Sequence, residues 1–188
     1  MAQTTDDRIL LARVAARDRG AFEALYHLYH PRLFGYLFRL TRRAEMVEEL
    51  VNDVMLTVWQ SAARFDGRSR PSTWILGIAY HKALKALSRF ARRRWEAPAE
   101  EAETEPQSEG PESLALRREV ASSLGQALAR LSPEQRAVVD LTFFHDCSYR
   151  EVAEIVGCPV NTVKTRMFHA RKRLREILAS PLPLQKES

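Results

Sequence analysis

The chain has 188 residues, 45% of them hydrophobic, with 29 Lys/Arg against 24 Asp/Glu, a net charge of +5 and a pI near 9.5. That is enough apolar material for one domain or two small ones. No apolar run nears the roughly 18 to 20 residues a membrane span requires.

The average hides a layout. Residues 1–95 carry 17 basic and 9 acidic side chains, residues 96–112 carry 7 acidic and none basic, and residues 113–188 carry 12 basic and 8 acidic. Two basic blocks flanking an acidic bridge point to a polyanion touched in two places, nucleic acid before membrane. The N-terminus has no basic leader, apolar core or small-residue cleavage site, so a cytoplasmic protein is expected. Cys147 and Cys158, with ten residues between them, fit neither a CxxC site nor a disulfide framework and read as small buried hydrophobes. His145 and His169 lie in no spacing typical of metal ligands, and no metal or cofactor is expected.

In chain order, Asp6 or Asp7 can cap a first helix bearing Ile9, Leu10 and Val14. A second follows Gly20, with Phe22, Leu25, Tyr26 and Tyr29 on one face and Leu33, Phe34, Leu37, Phe38 and Leu40 beyond Pro31, which should kink or divide it. Past Thr41 to Arg43, Val47, Leu50, Val51, Val54 and Val58 share one face of a third helix. Its other face, Glu48, Glu49, Asn52, Asp53, Thr57 and Gln60, is acidic and polar in a basic block. DNA would be repelled there, which suggests a protein partner.

Phe65 to Trp95 passes from a turn marked by Gly67 and Pro71 into a helix that Ser72 or Thr73 can cap, with Trp74, Ile78, Leu84 and Leu87 on its apolar side. His81, Lys82, Lys85 and Arg89 fall along the polar side, and Arg92, Arg93 and Arg94 suit the helix C-terminus. A loop feeding a basic, aromatic helix suits opened nucleic acid, whose unstacked bases need flat partners and whose phosphates need cations. The bland reading is a solvated basic face.

Glu96 to Glu112 holds three prolines and no residue larger than Gln. It reads as a solvated linker freeing two domains to address separate sites, or else as a DNA mimic shielding the basic surfaces. Ser113 to Leu131 reads as a helix. Ser132-Pro133-Glu134-Gln135 and Ser148-Tyr149-Arg150-Glu151 are capping boxes for two more, the second stopping at Gly157, and Asn161 can cap a last helix. A short helix, a glycine turn and a long basic helix make a helix-turn-helix. Val163, Met167, Ala170, Leu174 and Ile177 form the core stripe of its last helix. Asn161, Thr162, Lys164, Thr165 and Arg166 can face base edges, Arg and Lys toward guanine, Asn toward adenine. The expected fold is all-α, two small helical domains joined by a flexible acidic linker.

In this order the pieces resemble the extracytoplasmic function sigma factors of bacterial RNA polymerase. The match is carried by AFEALYHLYHPRLFGYLFRL, ELVNDVMLTVW and FDGRSRPSTWILGIAYHKALKAL for region 2, and by SPEQRAVVDLTFFHDCSYREVAEIVGCPVNTVKTRMFHARKRLREIL for region 4, a form response regulators share in outline. The resemblance implies region 2 over residues 1–95, a linker over 96–112, region 4 over 113–180 and a tail. It implies that Asp53, with Leu50, Asn52, Leu56 and Gln60, meets the clamp helices of the largest polymerase subunit. Trp74 and the loop carrying Arg68, Arg70, Ser72 and Thr73 would capture a flipped base of the −10 element, with His81, Lys82, Lys85 and Arg89 along the strand. Asn161, Thr162, Lys164, Thr165, Arg166, His169 and Lys172 would read the −35 duplex. Implied partners are core polymerase, including the flap of its second-largest subunit, promoter DNA and an anti-sigma factor, with no catalysis and no membrane insertion. Many members have Arg-Asn at Tyr80-His81 and an acidic residue at Lys85, so the −10 base preference here is open. The alternative is a free-standing helix-turn-helix regulator that dimerises on a palindromic operator. An adaptor without DNA contact does not explain the basic last helix.

Overall fold

The structure, a computed structural model, describes residues 3–96 and 125–179. Among the described residues seven helices have both ends defined: α1 (Gln3–Ala15), α2 (Arg19–Thr41), α3 (Val47–Ser61), α4 (Pro71–Glu96), α5 (Pro133–Phe143), α6 (Tyr149–Val156) and α7 (Val160–Ala179). Residues 125–129 are also helical, and 3-10 turns at Ala44–Met46 and Ala62–Arg64 bracket α3. There is no strand among the described residues, and the fold is all-α.

Local signals explain most boundaries. Asp18 caps α2, accepting from the Ala21 N–H at 3.1 Å and from Arg13 Nε at 2.9 Å. The Ala21 bond, then Arg13, holds its carboxyl below the usual range. Both capping boxes are formed, and Gly157 closes α6 at φ 67°. Four expectations shift. Asp7 lies inside α1, buried, and accepts from the Tyr29 hydroxyl at 2.6 Å. Pro31 leaves α2 undivided; its missing N–H costs little because Pro31 and His27, the residue four before it, are exposed to water. Pro71 opens α4 from Arg70, whose carbonyl accepts from Trp74 N–H at 3.1 Å, so Ser72 and Thr73 do not cap it. Pro159 supplies the first acceptor of α7, and Asn161 lies within its first turn.

In the first half α2 buries Leu25, Tyr29, Leu33, Tyr36, Leu37 and Leu40 against Val47, Val51, Val54 and Val58 of α3. The buried seam of α4 is Ile75, Leu76, Ala79, Tyr80 and Ala83, while Trp74, Ile78, Leu84 and Leu87 are only partly covered. The displacement has a cause: α4 packs on α2 and α3 and also under α6, so two of its sides are lined. In the second half Val138 and Leu141 of α5, Val152 and Ile155 of α6, and Val163, Met167 and Ala170 of α7 meet in a three-helix core.

The halves share one continuous apolar cluster, joined by charged side chains. Arg39 of α2 forms a bidentate pair with Asp140 of α5, which is 2% exposed, and its guanidinium lies over the Phe144 ring at 4.4 Å. Phe144, which caps the C-terminus of α5, is 49% exposed under that cation. Arg136 is itself buried and donates to the carbonyls of Leu128, Ala129 and Leu131 and, at 2.6 Å, of Leu40 across the seam. Burial, then Arg42, pulls its guanidinium down to about 10.

Candidate nucleic-acid interface

The outer face of α3 presents Asn52, Asp53, Leu56 and Gln60 to solvent beside Glu48 and Glu49. Leu56 is 52% exposed, an apolar side chain standing among carboxylates. Leu50 departs from the expected contact set: it shares the inward face with Val47, Val51, Val54 and Val58 and is 6% exposed. Tyr26 of α2 donates to Asn52 Oδ1 at 3.0 Å, and Lys82 of α4 lies 3.6 Å from the Asp53 carboxylate. The acidic face and the basic helix therefore touch at one exposed pair, which is worth little in water.

The second surface is the turn before α4 and its first three turns. Gly67 takes φ 74°, a conformation side chains resist. Asp66 accepts from the Arg68 N–H at 3.0 Å, leaving the Arg68 side chain 90% exposed. Arg8 of α1 reaches over to donate to the carbonyls of Gly67 and Ser69 at 3.5 and 3.4 Å. Trp74 stacks obliquely on Phe65 with ring centres 5.4 Å apart. Beside it opens a cavity of about 480 Å³ lined by Thr57, Ser69, Thr73, Trp74, Gly77, Ile78, His81 and Lys82, and by Glu154 and Ile155 of α6. That volume falls within the range of ligand-sized clefts. Thr73, an expected strand contact, is 3% exposed and lines this cavity. His81, Lys85 and Arg89 stay exposed at intervals of four residues, a row roughly 12 Å long at the helical rise.

The third surface is α7. Asn161, Lys164, Thr165, His169 and Lys172 are exposed, with Thr165 Oγ donating to the Asn161 carbonyl at 3.0 Å. Thr162 and Arg166 are half-buried. Arg166 is turned toward α4, its guanidinium donating to Cys158 Sγ at 3.8 Å and lying beside Tyr80. Burial raises the Tyr80 phenol, opposed by Arg166. Among the described residues no cluster of His, Cys, Asp or Glu could hold a metal, and no helix is long and apolar enough to cross a membrane.

Sequence reading missed three participants. Arg8 carries no periodic signal that ties it to a turn 59 residues away. Glu154 reaches the cavity from α6, at the far end of the chain. Phe168, 64% exposed on α7, did leave a trace, since it falls off the Val163–Met167–Ala170–Leu174 stripe and so had to face outward.

Comparison with known proteins places these surfaces in context. Residues 25–95 match sigma-70 region 2, and residues 121–174 match sigma-70 region 4. Over 162 residues the chain is 35% identical to the ECF RNA polymerase sigma factor RpoE of Cereibacter sphaeroides, covering 85% of this chain and 87% of that one. Its fold is similar to that of CnrH in complex with the cytosolic domain of CnrY, with a TM-score of 0.70 and 25% identity over 94% of this chain and 99% of that one. It is also similar to the sigma factor RpoE of Bartonella quintana in complex with the anti-sigma factor NepR, with a TM-score of 0.68 and 25% identity over 86% and 98% of the two chains.

Proposed function

The chain belongs to the extracytoplasmic function sigma factors of bacterial RNA polymerase, and from that premise we propose how its three surfaces divide the work of starting transcription. It is a promoter-specificity subunit that binds core polymerase and promoter DNA, and it makes and breaks no covalent bond itself. Region 2 occupies residues 1–95, an acidic linker 96–112 and region 4 residues 113–180. It works in the cytoplasm, where the polymerase is, and an anti-sigma factor restrains it, as the bound partner of the Bartonella relative suggests.

Asn52, Asp53, Leu56 and Gln60 meet the clamp helices of the largest polymerase subunit, the carboxylate against a basic group and Leu56 filling an apolar notch. The cavity beside Trp74 takes one unstacked base of the non-template −10 strand, while His81, Lys85 and Arg89 follow its phosphates. Extruding a base costs a few kcal/mol, and stacking on an aromatic returns about 1 to 3 kcal/mol. The exposed face of α7 enters the major groove of the −35 duplex, and region 4 also rests on the polymerase flap. The observation that carries this reading is one helix, α4, that opens on a cavity walled by Trp74 and continues into the exposed row His81, Lys85 and Arg89.

The test is transcription by core polymerase with and without the protein, with start sites mapped. Starts that depend on the protein support the reading. A footprint of two-fold symmetry made without polymerase would instead favour a dimeric regulator. Changing Asp53→Ala should lower core affinity about tenfold, an effect of about 1.4 kcal/mol, and leave duplex binding unchanged. Equal loss in both assays would take Asp53 off the polymerase face.

A further inference from the structure

The first turn of α4 carries the side chains to which the proposed function brings an unstacked base, with Thr73 and Trp74 walling the cavity. Neither Ser72 nor Thr73 caps the helix, so its start must be fastened from elsewhere. The fastening lies beneath it. Ser72, the second residue of α4, is half-buried and stands beside the phenol oxygen of Tyr29 in α2. That phenol is 1% exposed and donates at 2.6 Å to Oδ2 of Asp7 in α1, itself 4% exposed. Arg32 lies over the Tyr29 ring at 5.6 Å. The three helices pack on one another in every pairing, α1 on α2, α2 on α4 and α1 on α4.

The donors and acceptors fix the direction of this relay. Burial, then Asp7, pushes the phenol well above its usual range, opposed by Arg32 and Ser72, so Tyr29 keeps its hydrogen at neutral pH. A phenol has one hydrogen, and Asp7 takes it. The Tyr29 oxygen is then only an acceptor, and the Ser72 hydroxyl is the donor that suits it.

For stability alone the relay is a poor device. Asp7 Oδ1 is buried with no hydrogen-bond partner among the described residues. A buried acceptor left unpaired is destabilising, and apolar side chains of similar size at positions 7 and 29 would hold α1 on α2 without that loss. They would not hold Ser72. A polar atom left unsatisfied in a native interior calls for a reason beyond packing, and a binding site keeps its shape only when the side chains behind it are locked by packing and hydrogen bonds. We propose that Asp7 is a positioning residue for strand capture, which through Tyr29 turns the Ser72 hydroxyl inward and holds the first turn of α4 where Trp74 can meet an unstacked base. The proposal rests on the assignment of that turn to the opened strand and adds the buried anchor behind it.

The experiment uses the full chain with core polymerase on a promoter whose start has been mapped. Permanganate reactivity of the −10 thymines reads opening, and chemical denaturation of the free chain reads stability. Asp7→Leu combined with Tyr29→Phe replaces the polar pair by an apolar one. Its denaturation midpoint should equal or exceed that of the wild type, while opening falls roughly three- to tenfold, the effect of one lost hydrogen bond. An anchor that served stability alone would leave opening at the wild-type level in that chain, which overturns the proposal. Ser72→Ala should lower opening by the same factor and add nothing when joined to the apolar pair, because all three residues act as one unit. Losses that add would also overturn it. Asp7→Asn, whose amide oxygen still accepts from Tyr29, should open the promoter as the wild type does. If the apolar pair loses its helical signal, Ser72→Ala is read against Asp7→Asn in its place, and equal opening in those two overturns the proposal. Trp74→Ala runs alongside. Unchanged opening there means that the assignment of the turn to the strand has failed, whereas a loss there with none in the apolar pair removes the anchor alone.

Discussion

Two basic helices of similar length solve different problems. α4 is lined on two sides and leaves one row of cations free, whereas α7 buries the narrow stripe Val163, Met167 and Ala170 and leaves most of its circumference in water. A helix that enters a major groove must be free around most of its girth, because the groove surrounds it. A helix that receives single bases must have walls beside it, because an unstacked base has lost its neighbours and needs new ones. On the proposed assignment, the width of the buried stripe, and not composition, separates the duplex reader from the strand receiver.

The contrast can be broken most severely at Arg136, which ties the α7 scaffold to the rest. Arg136→Ala strands four carbonyls and should cost about 3 to 5 kcal/mol, read by chemical denaturation as early loss of the second half. Survival of the native midpoint would show that water replaces the guanidinium. Next in size, Trp74→Ala should reduce promoter opening, followed by permanganate reactivity of the −10 thymines, by about 1 to 3 kcal/mol while −35 duplex binding holds. Parallel loss in both would mean that the ring is only packing on Phe65. On α7 the contrast can be sharpened by two substitutions. Lys164→Ala, on the exposed face, should relax preference at one base pair by about 1 to 3 kcal/mol, and Lys172→Ala should weaken all sequences alike and reduce the salt slope by about 1. The smallest effect is at Cys147, whose thiol burial, then Glu151, pushes up to about 11 from the usual 9. At neutral pH its thiolate is about a hundredfold scarcer, so alkylation of a Cys158→Ser chain should be slow and should speed up on denaturation.

What could be read from residue order was what is written locally. Both serine capping boxes, the left-handed Gly157 and the stripe of α7 each depend on residues within a few positions of one another; the boxes and Gly157 are found as expected, and the stripe is buried from Val163 to Ala170 but only partly covered at Leu174 and Ile177. Both faces of α3 were legible for the same reason, with Leu50 inward beside Val47 and Val58; it was the family resemblance that set Leu50 among the polymerase contacts. The sides of α4 were not legible, since its second cover, α6, comes from the other half of the chain. Nor was the Arg39–Asp140 pair: its members are 101 positions apart, and in the sequence each is one more charge on an amphipathic helix. Asp7 looked like a cap because caps are the commonest use of an aspartate near a helix start. Its burial against Tyr29 depends on how α1 lies across α2. Whether a side chain reads DNA, and which base it prefers, depends on the docked geometry of a second molecule, and the departures at Tyr80, His81 and Lys85 leave that preference to measurement.

The turn that would receive the base is pinned from outside by Arg8, through the carbonyls of Gly67 and Ser69. The N-terminal helix is thus a guy-rope for a loop most of a domain away in sequence. Changing Arg8→Ala, or fusing a bulky tag close to it, would slacken that loop while leaving the buried core intact. Such a preparation would fold, bind polymerase and grip the −35 duplex, yet be slow to melt DNA, and the shortfall would be mistaken for a weak promoter.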